Sequence, residues 1–517
     1  MFVRIIKGRQ KEYGVIIRGY RDKDGKVRHR TVKNLGAITA KNKEAILELG
    51  RRLISQSQGH EIVTTGKEIK ELSRQNWGGP AIIEKLWERF NLDAILSKQV
   101  EALKLMLTGR LLDPSSKLAT YTGRCEYVNF TQVKLQELYR ALDLLDKSKE
   151  KLQAHIFNKQ KLYGKLDVIF FDVTTLYFES QKVDTLRNFG FSKDCKFNEV
   201  QIVLSLVINS EGRPLTYEVF SGSTYEGNTL LLNLQKLKAK YNIDKVIIVA
   251  DRGIGSKANL NVIKEAGFNY IIGARLRSAS KVVKAEAIDS EGYNSFPCSQ
   301  NSEDLHKYKI IKNQDSSWVV LWSAKRAAKD KQDRQRLVER AQEMLADNKV
   351  QDKRGAKKYI RGSKTAYCLD AIKIEQDAQF DGFYALSFSD ESMSPQDIAG
   401  AYHGLWKIEE SFRTIKDFFE VRPMFHWTPK RISGHIMLNF IALVLENDLL
   451  LKLKTKVENI AHFSIREAIA NMQFSILQIG NNQFLSYSSL NALQKTILKS
   501  LAINLPLNST ANLVVKT

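Results

Sequence analysis

The run DVIFFDVTTLYF, residues 167–178, decides the fold class of this chain. It is rich in β-branched and aromatic residues, which favour a strand buried inside a sheet. Asp172 interrupts the apolar run. Because an ionised carboxylate among apolar neighbours is costly unless a cation or hydrogen bonds offset its lost hydration, Asp172 is a candidate ligand of a divalent cation.

Further strand-like and helix-like segments follow this run. Two apolar runs, VQIVLSLVI at 200–208 and LTYEVF at 215–220, are joined by a turn. After them come a helical segment at 229–241, the strand KVIIVAD at 245–251, a helix at 256–267 and the short strand YIIG. Strands joined by turns, followed by alternating helices and strands, predict an α/β fold: an RNase H-like mixed sheet with flanking helices.

The charge of the chain indicates a polyanionic partner. The sequence has 80 Lys and Arg residues against 57 Asp and Glu residues, a formal net charge of +23. Such an excess favours nucleic acid, because cationic side chains that neutralise phosphates release condensed counterions. A merely soluble basic protein is the alternative on charge alone.

Residues 276–379 break the alternation inside a core that we expect to span 160–450. They contain the strand candidates YKIIKN and SWVVLWS, a highly charged helical run at 324–346 and the basic patch DKRGAKKYIRGSK. We therefore predict a strand-rich insertion within the core. The charged run most simply forms a solvated helix face, and contact with the DNA backbone is the alternative.

The two ends of the chain have different patterns. FVRII, YGVIIRGY and KVRHRTV, with a turn at Asp24-Gly25, predict a small β-hairpin unit. A helical pattern follows, so residues 1–150 are predicted to form an N-terminal β-hairpin and helical region. Helical periodicity does not reveal contact with DNA, and we expect a DNA-binding region here because of the positive charge of the chain. For residues 451–517 we predict a C-terminal helical tail.

The sequence offers little support for membrane attachment or for structural zinc. The apolar stretch IMLNFIALVL at 436–445 is shorter than the roughly 20 residues that span a bilayer. The N-terminus has no apolar signal region, and the four cysteines form no C-x-x-C pair. We therefore expect a cytoplasmic protein with reduced thiols and no membrane partner.

A second acid, Asp251, ends the strand VIIVAD. Open α/β sheets bind ligands at the carboxyl ends of their strands, which makes Asp251 a second candidate metal ligand. Taken singly, it could equally cap the helix that follows.

A third acid lies in YHGLWKIEESFRTIKDFF, residues 402–419, within a long helix predicted to start at Ser394-Pro395. Helical offsets place seven residues on one broad stripe: Tyr402, Leu405, Trp406, Glu409, Phe412, Arg413 and Lys416. This mixture of apolar and charged residues is not typical of plain core. The structural alternative is an ion pair between Glu409 and Arg413, worth about 0.2–0.5 kcal/mol.

These residues resemble the DDE transposases of bacterial insertion sequences, in the lineage with a Tyr-x2-Arg-x3-Glu-x6-Lys helix. The matching positions are Tyr402, Leu405, Glu409 and Lys416, so leucine stands where the family has arginine. Other blocks resemble the family in the same order: KVRHRTVKNLG, DVTTLYFES, GRPLTYEVFSGSTYEGNTL, VIIVADRGIGSKANL, DGFYALSFSD and VRPMFHWTPKRISGHIMLNFIALVL.

The resemblance implies a catalytic and metal-binding triad of Asp172, Asp251 and Glu409. Hard oxygen ligands select Mg²⁺ or Mn²⁺ over zinc, and we expect Asp172 to bridge two such ions. The implied reaction is cleavage of DNA at the element ends, followed by attack of the 3′-OH on target DNA.

The implied partners are double-stranded DNA, both the terminal inverted repeats of the element and the target, and a second copy of the chain on paired ends. The candidate DNA-binding residues are Tyr402, Arg413, Lys416, Arg252, Trp406 and Lys407. Of these, Lys407 or Arg413 could replace the missing arginine. Trp406 could stack on an unpaired base or equally anchor its helix in the core.

Two other functions remain open at this point. One is a metal-dependent nuclease of the same fold that cuts without joining. The other is a DNA-binding descendant of a transposase that has lost catalysis.

Overall fold

A computed structural model gives the architecture of the chain. It describes residues 2–8, 11–21, 26–39, 42–47, 49–50, 69–225, 229–230, 233–235, 237, 246–296, 306–313, 316–347, 355–363, 366–479, 482–504 and 514–515. Two compact units contain them. The first unit comprises Met1–Asn91, Val100–Leu138 and Leu449–Thr517, and the second comprises Leu92–Gln99 and Tyr139–Asp448.

The strands and helices are numbered in chain order. The strands are β1 (Phe2–Lys7), β2 (Glu12–Arg21), β3 (Val27–Ala37), β4 (Ile69–Asn76), β5 (Val168–Tyr177), β6 (Gln201–Asn209), β7 (Pro214–Ser221), β8 (Ile247–Ala250), β9 (Asn269–Ala274), β10 (Asn294–Ser295), β11 (His306–Asn313), β12 (Ser316–Ser323), β13 (Ile360–Ser363), β14 (Ala366–Leu369), β15 (Phe383–Phe388), β16 (Gln473–Ile479), β17 (Asn482–Tyr487) and β18 (Val514–Val515). The helices are α1 (Gly78–Phe90), α2 (Val100–Leu112), α3 (Lys117–Thr122), α4 (Leu135–Tyr163), α5 (Lys257–Glu265), α6 (Lys281–Ile288), α7 (Ala324–Ala346), α8 (Ala371–Ala378), α9 (Pro395–His403), α10 (Trp406–Arg413), α11 (Pro429–Lys454), α12 (His462–Ala470) and α13 (Ala492–Ser500).

The described residues of the first unit form two antiparallel sheets. Strands β1, β2 and β3 form a three-stranded sheet in that order, which confirms the predicted small N-terminal β unit. A second sheet has the order β18-β17-β16-β4. It joins strands from opposite ends of the chain, because β16 pairs along β4.

The prediction of a helical C-terminal tail is wrong for the strands of residues 473–487. This segment forms the hairpin of β16 and β17, between helices α12 and α13. Runs as short as QFSILQI do not distinguish strand from helix by periodicity. The pairing with β4, a strand far away in the sequence, determines their conformation.

The second unit is built on a sheet with the order β10-β11-β12-β15-β9-β8-β5-β6-β7. Strand β5 is parallel to β8 and antiparallel to β6, and β8 is parallel to β9. The segment β7-β6-β5-β8-β9 has the strand order expected of an RNase H-like core. The predicted mixed sheet with flanking helices is confirmed.

The stretch predicted as an insertion adds strands to this sheet. Strand β12 pairs with β15, which in turn pairs with β9, so β10, β11 and β12 continue the sheet beyond the core strands. Helix α7, the charged run, is capped by Ser323 and is exposed along most of its length, with Ala341 its buried residue. Strands β13 and β14 form a separate hairpin.

The two faces of β5 have different surroundings. Phe171 and Val173 belong to a buried cluster that also contains Phe157 of α4 and Ile263 of α5. Burial of one such side chain contributes about 1.5–3 kcal/mol to folding. Because side chains alternate along a strand, Phe170 and Asp172 lie on the opposite face.

No helix in the described ranges is both long enough and apolar enough to cross a bilayer. The apolar run at 436–445 instead lies inside α11, where its side chains are buried.

Candidate active site

The register of two parallel strands brings two of the predicted acids to neighbouring positions. Phe171 of β5 is paired with Ala250 of β8. Asp172 and Asp251 each follow one residue later, so the next step of the same register aligns them. Asp172 is the half-buried residue at the centre of an otherwise buried stretch of β5.

Asp251 does not cap the helix that follows it, so this alternative is wrong for the side chain. The residue precedes a 3₁₀ turn at Arg252–Ile254 without a side-chain hydrogen bond to that turn. Helix α5 is capped instead by Ser256, whose hydroxyl accepts from the backbone N–H of Asn259 at 3.2 Å. The Asp251 carboxylate therefore remains available for another role.

Tyr402, at the end of α9, contacts this carboxylate. Burial and the charge of Asp251 raise the pKa of Tyr402 to about 12, whereas Arg252 opposes the shift. The hydroxyl donates a hydrogen bond to Asp251. Gly273 of β9 makes room for it, since a β-carbon there would lie 2.6 Å from the Tyr402 hydroxyl oxygen. Tyr402 thus supports Asp251, a contact that differs from the predicted one with DNA phosphate.

The long helix predicted to start at Ser394-Pro395 is interrupted. Helix α9 ends at His403, and α10 begins at Trp406. Gly404 lies between them, and a β-carbon at this position would be 2.5 Å from the ring of Phe170. The chain therefore approaches β5 so closely that only glycine fits there. A π-helical turn, Thr414–Phe418, follows α10 directly.

Glu409, the third predicted acid, lies on α10, which contacts β5 and β6. Its neighbours Ile408 and Phe412 are buried, whereas the Glu409 side chain is exposed. Within the described residues it forms no ion pair with Arg413, the structural alternative for this acid. No set of three or more His, Cys, Asp and Glu residues in the described ranges is arranged to hold a metal ion. The register aligns the two aspartates, and Glu409 is not grouped with them.

The predicted DNA-binding residues have different surroundings. Arg252 and Arg413 are exposed, and Trp406 is 45% exposed, which does not fit a buried anchor. Lys407 donates to the backbone carbonyl oxygen of Ser210, in the turn between β6 and β7. Lys407 therefore stabilises this turn, and Arg413 is the better candidate to replace the missing arginine.

Lys416 is paired with a carboxylate that the sequence pattern did not single out. Its Nζ lies 3.1 and 3.2 Å from the two carboxylate oxygens of Asp194, which also pairs with Arg422. Burial lowers the pKa of Lys416, and the charges of Arg422 and Lys193 act in the same direction, whereas Asp194 opposes them. This pairing differs from the contact with DNA that was predicted for Lys416.

Lys193 is a further residue near the predicted acids. Its Nζ lies 3.8 Å from Oδ1 of Asp172 and donates to the backbone carbonyl oxygen of Val173 at 2.6 Å. Lys193 and Asp194 belong to the connection between β5 and β6, which lacks regular periodicity. No spacing in the sequence relates them to Asp172 or Lys416.

Comparison with known proteins identifies the family. The model of the transposase DDE domain matches residues 163–445, more than half of the 517 residues. The model of the IS1634 family transposase N-terminal domain matches residues 3–61. A search of the curated proteins finds no match.

Among solved structures, a cryo-EM structure of the piggyBac transposase synaptic complex with hairpin DNA is similar over 76% of each chain, with 9% identity and a TM-score of 0.35. Likeness at that level carries no argument about function. The two family matches identify the family, and they agree with the order of the sequence blocks. The chain belongs to the DDE transposases of insertion sequences.

Proposed function

We propose that this DNA transposase cleaves the ends of its own element and joins them to target DNA, with Asp172, Asp251 and Glu409 as its catalytic acids. The observation that carries the proposal is the register of β5 and β8, which aligns Asp172 with Asp251. Helix α10, which bears Glu409, contacts β5. The segment matched by the transposase DDE domain contains all three.

The residues present fit hard divalent cations. Carboxylate oxygens are the preferred ligands of Mg²⁺ and Mn²⁺, and DDE transposases use divalent metals. Asp172, Asp251 and Glu409 would hold two ions. When bound, two such ions would supply activation of the attacking hydroxyl and stabilisation of the departing oxygen.

The protein's own groups position the acids. The protonated hydroxyl of Tyr402 donates to Asp251 and fixes the orientation of its carboxylate. The exposed Glu409 side chain would complete the set of acids that hold the ions. The π-helical turn after α10 supports this role, because such turns often occur at functional sites.

The DNA partner follows from the family and the charge. The net charge of +23 favours a polyanion, and we propose terminal inverted repeats and target DNA as the ligands. Arg252 follows Asp251 in the sequence, and Trp406 and Arg413 lie on either side of Glu409. Their side chains are exposed and are candidates for contact with DNA. Joining two ends in one reaction favours a dimer of the chain on paired ends.

The test is cleavage of DNA that carries the element's termini. Asp172→Asn, Asp251→Asn and Glu409→Gln should each abolish Mg²⁺-dependent cleavage while the affinity for end DNA is retained. Glu265→Gln, on the exposed side of α5, is the matched control and should cleave at the wild-type rate. Normal cleavage by any of the three variants would contradict the assignment of that acid.

A strand-transfer assay separates the proposed function from a nuclease without joining activity. A transposase forms covalent joints between the cleaved ends and a supercoiled target plasmid. Cleaved ends that never join would show that the chain acts as a nuclease.

A further inference from the structure

The connection between β5 and β6 returns along β5 and places Lys193 against the strand that carries Asp172. The backbone N–H of Lys193 donates to Oγ1 of Thr175 at 3.1 Å, and Nζ donates to the carbonyl oxygen of Val173 at 2.6 Å. The same Nζ lies 3.8 Å from Oδ1 of Asp172. Backbone and side-chain contacts together therefore locate this ammonium group.

The residue next to Lys193 holds the connection in place. Asp194 pairs with Lys416 and Arg422, and the side chains of Asp194 and Lys416 are only 15% and 10% exposed. Within the connection, Oγ of Ser192 accepts from the backbone N–H of Lys196 at 3.1 Å. The position of Lys193 thus depends on a folded segment that is tied to the π-helical turn after α10.

A divalent cation bound to Asp172 would compete with the ammonium of Lys193 for the same carboxylate. Asp172 and Lys193 are 22% and 32% exposed, so water screens their charges only in part. A divalent cation bound to Asp172 would repel the ammonium at this distance.

We infer that Lys193 serves as a counter-ion of Asp172 in the free protein, and that a divalent cation displaces its ammonium group on binding. Lys193 therefore weakens metal binding as long as DNA is absent. A phosphate of the substrate offers the displaced ammonium another anion, so that metal binding and DNA binding strengthen each other. The inference rests on the proposed function, in which Asp172 is a metal ligand.

The experiment measures binding of Mn²⁺ to the full-length protein without DNA, by the EPR signal of the unbound ion. Lys193→Gln should bind Mn²⁺ about tenfold more tightly than wild type, because a nearby positive charge is lost. Lys193→Arg keeps that charge and should stay within about twofold of wild type. The matched control is Lys196→Gln, whose native ammonium lies 5.4 Å from the ring centroid of Tyr177. It should also stay within about twofold.

Asp172→Asn separates a failure of this inference from a failure of the proposed function. If Asp172→Asn leaves Mn²⁺ affinity unchanged, Asp172 is not a metal ligand, and both proposals fall. If Asp172→Asn weakens binding but Lys193→Gln does not tighten it, only the counter-ion role is overturned.

The double variant tests whether the effect acts through Asp172. In the Asp172→Asn background, Lys193→Gln should change Mn²⁺ affinity by less than about twofold. A tenfold gain there would show a general effect of charge and would overturn the inference.

Discussion

Tyr402 illustrates how one hydroxyl can support a proposed catalytic acid from the protein side. It matches the tyrosine of the family signature, yet its hydroxyl donates to Asp251 and fits beside Gly273. A tyrosine hydroxyl is protonated at neutral pH. The pKa of Tyr402, raised to about 12, extends the pH range over which the hydroxyl can donate. A carboxylate held in this way is oriented before any cation binds.

Tyr402→Phe removes this hydrogen bond and keeps the ring. Hydrogen bonds to charged groups contribute about 1.5–3 kcal/mol, so single-turnover cleavage should slow by roughly ten- to a hundredfold. Binding of end DNA should stay within about twofold of wild type, measured by fluorescence anisotropy. Tyr367→Phe, in the β13–β14 hairpin, is the control. Weakened DNA binding with unchanged single-turnover cleavage would instead indicate contact with phosphate.

Asp194 should matter for stability as well as for the site. Asp194→Asn leaves the buried ammonium of Lys416 without its carboxylate partner, which should destabilise the second unit by about 3–5 kcal/mol. The measurement is thermal unfolding by circular dichroism. Adding Lys416→Met should recover part of the loss, because the double variant no longer buries that charge. An unchanged Tm for Asp194→Asn would show that the pair is not stabilising.

At the scale of elements, the break between α9 and α10 decides where Glu409 lies. Offsets along one continuous helix predict a single stripe from Tyr402 to Lys416. The structure instead has two short helices and a π-helical turn. The cause is the contact between Gly404 and Phe170, residues far apart in the sequence. Local periodicity carries no information about such a contact.

Gly404→Ala tests this junction. The added β-carbon would meet the ring of Phe170 at 2.5 Å, so stability should fall by about 1–3 kcal/mol and cleavage should fall with it. Gly400→Ala, in α9, is the matched control, since a β-carbon there has nothing within 4 Å. It should be neutral or stabilising by up to about 1 kcal/mol. Equal effects of the two variants on chemical denaturation would contradict the close approach.

The strands of the core were predictable because each is an apolar run bounded by turns. The runs around Asp172 and Asp251 are examples, and they become β5 and β8. The hairpin of β16 and β17 was not predictable in this way, since β4 determines its pairing. Lys193 and Asp194 were missed for a similar reason, because their partners Asp172 and Lys416 are distant in the sequence.

At the scale of the whole molecule, the excess of cationic side chains should govern DNA affinity. With a net charge of +23, binding to end DNA should weaken steeply with salt. Six to ten phosphate contacts would lower the affinity by about 10³–10⁵ between roughly 50 and 200 mM salt. Anisotropy titrations over this range measure the slope.

If the Arg413 side chain contacts phosphate, Arg413→Gln should release about one counterion fewer on binding. The slope of log affinity against log salt concentration should then be smaller by about one. Lys407→Gln is the comparison, because its ammonium binds the carbonyl oxygen of Ser210 and should leave the slope unchanged. A lower slope for Lys407→Gln alone would reverse the two assignments.

The sheet of the second unit runs without a gap from β10, through β15, to β9 and the strands of the acids. Strands β12, β15 and β9 are linked by continuous backbone hydrogen bonds. A lobe tethered by loops could swing independently when DNA presses on it. In this sheet, a displacement of β11 or β12 must also deform the hydrogen-bonded strands β15 and β9. The deformation would reach Gly273, which lies on β9 next to the strand that precedes Asp251 and against the hydroxyl of Tyr402.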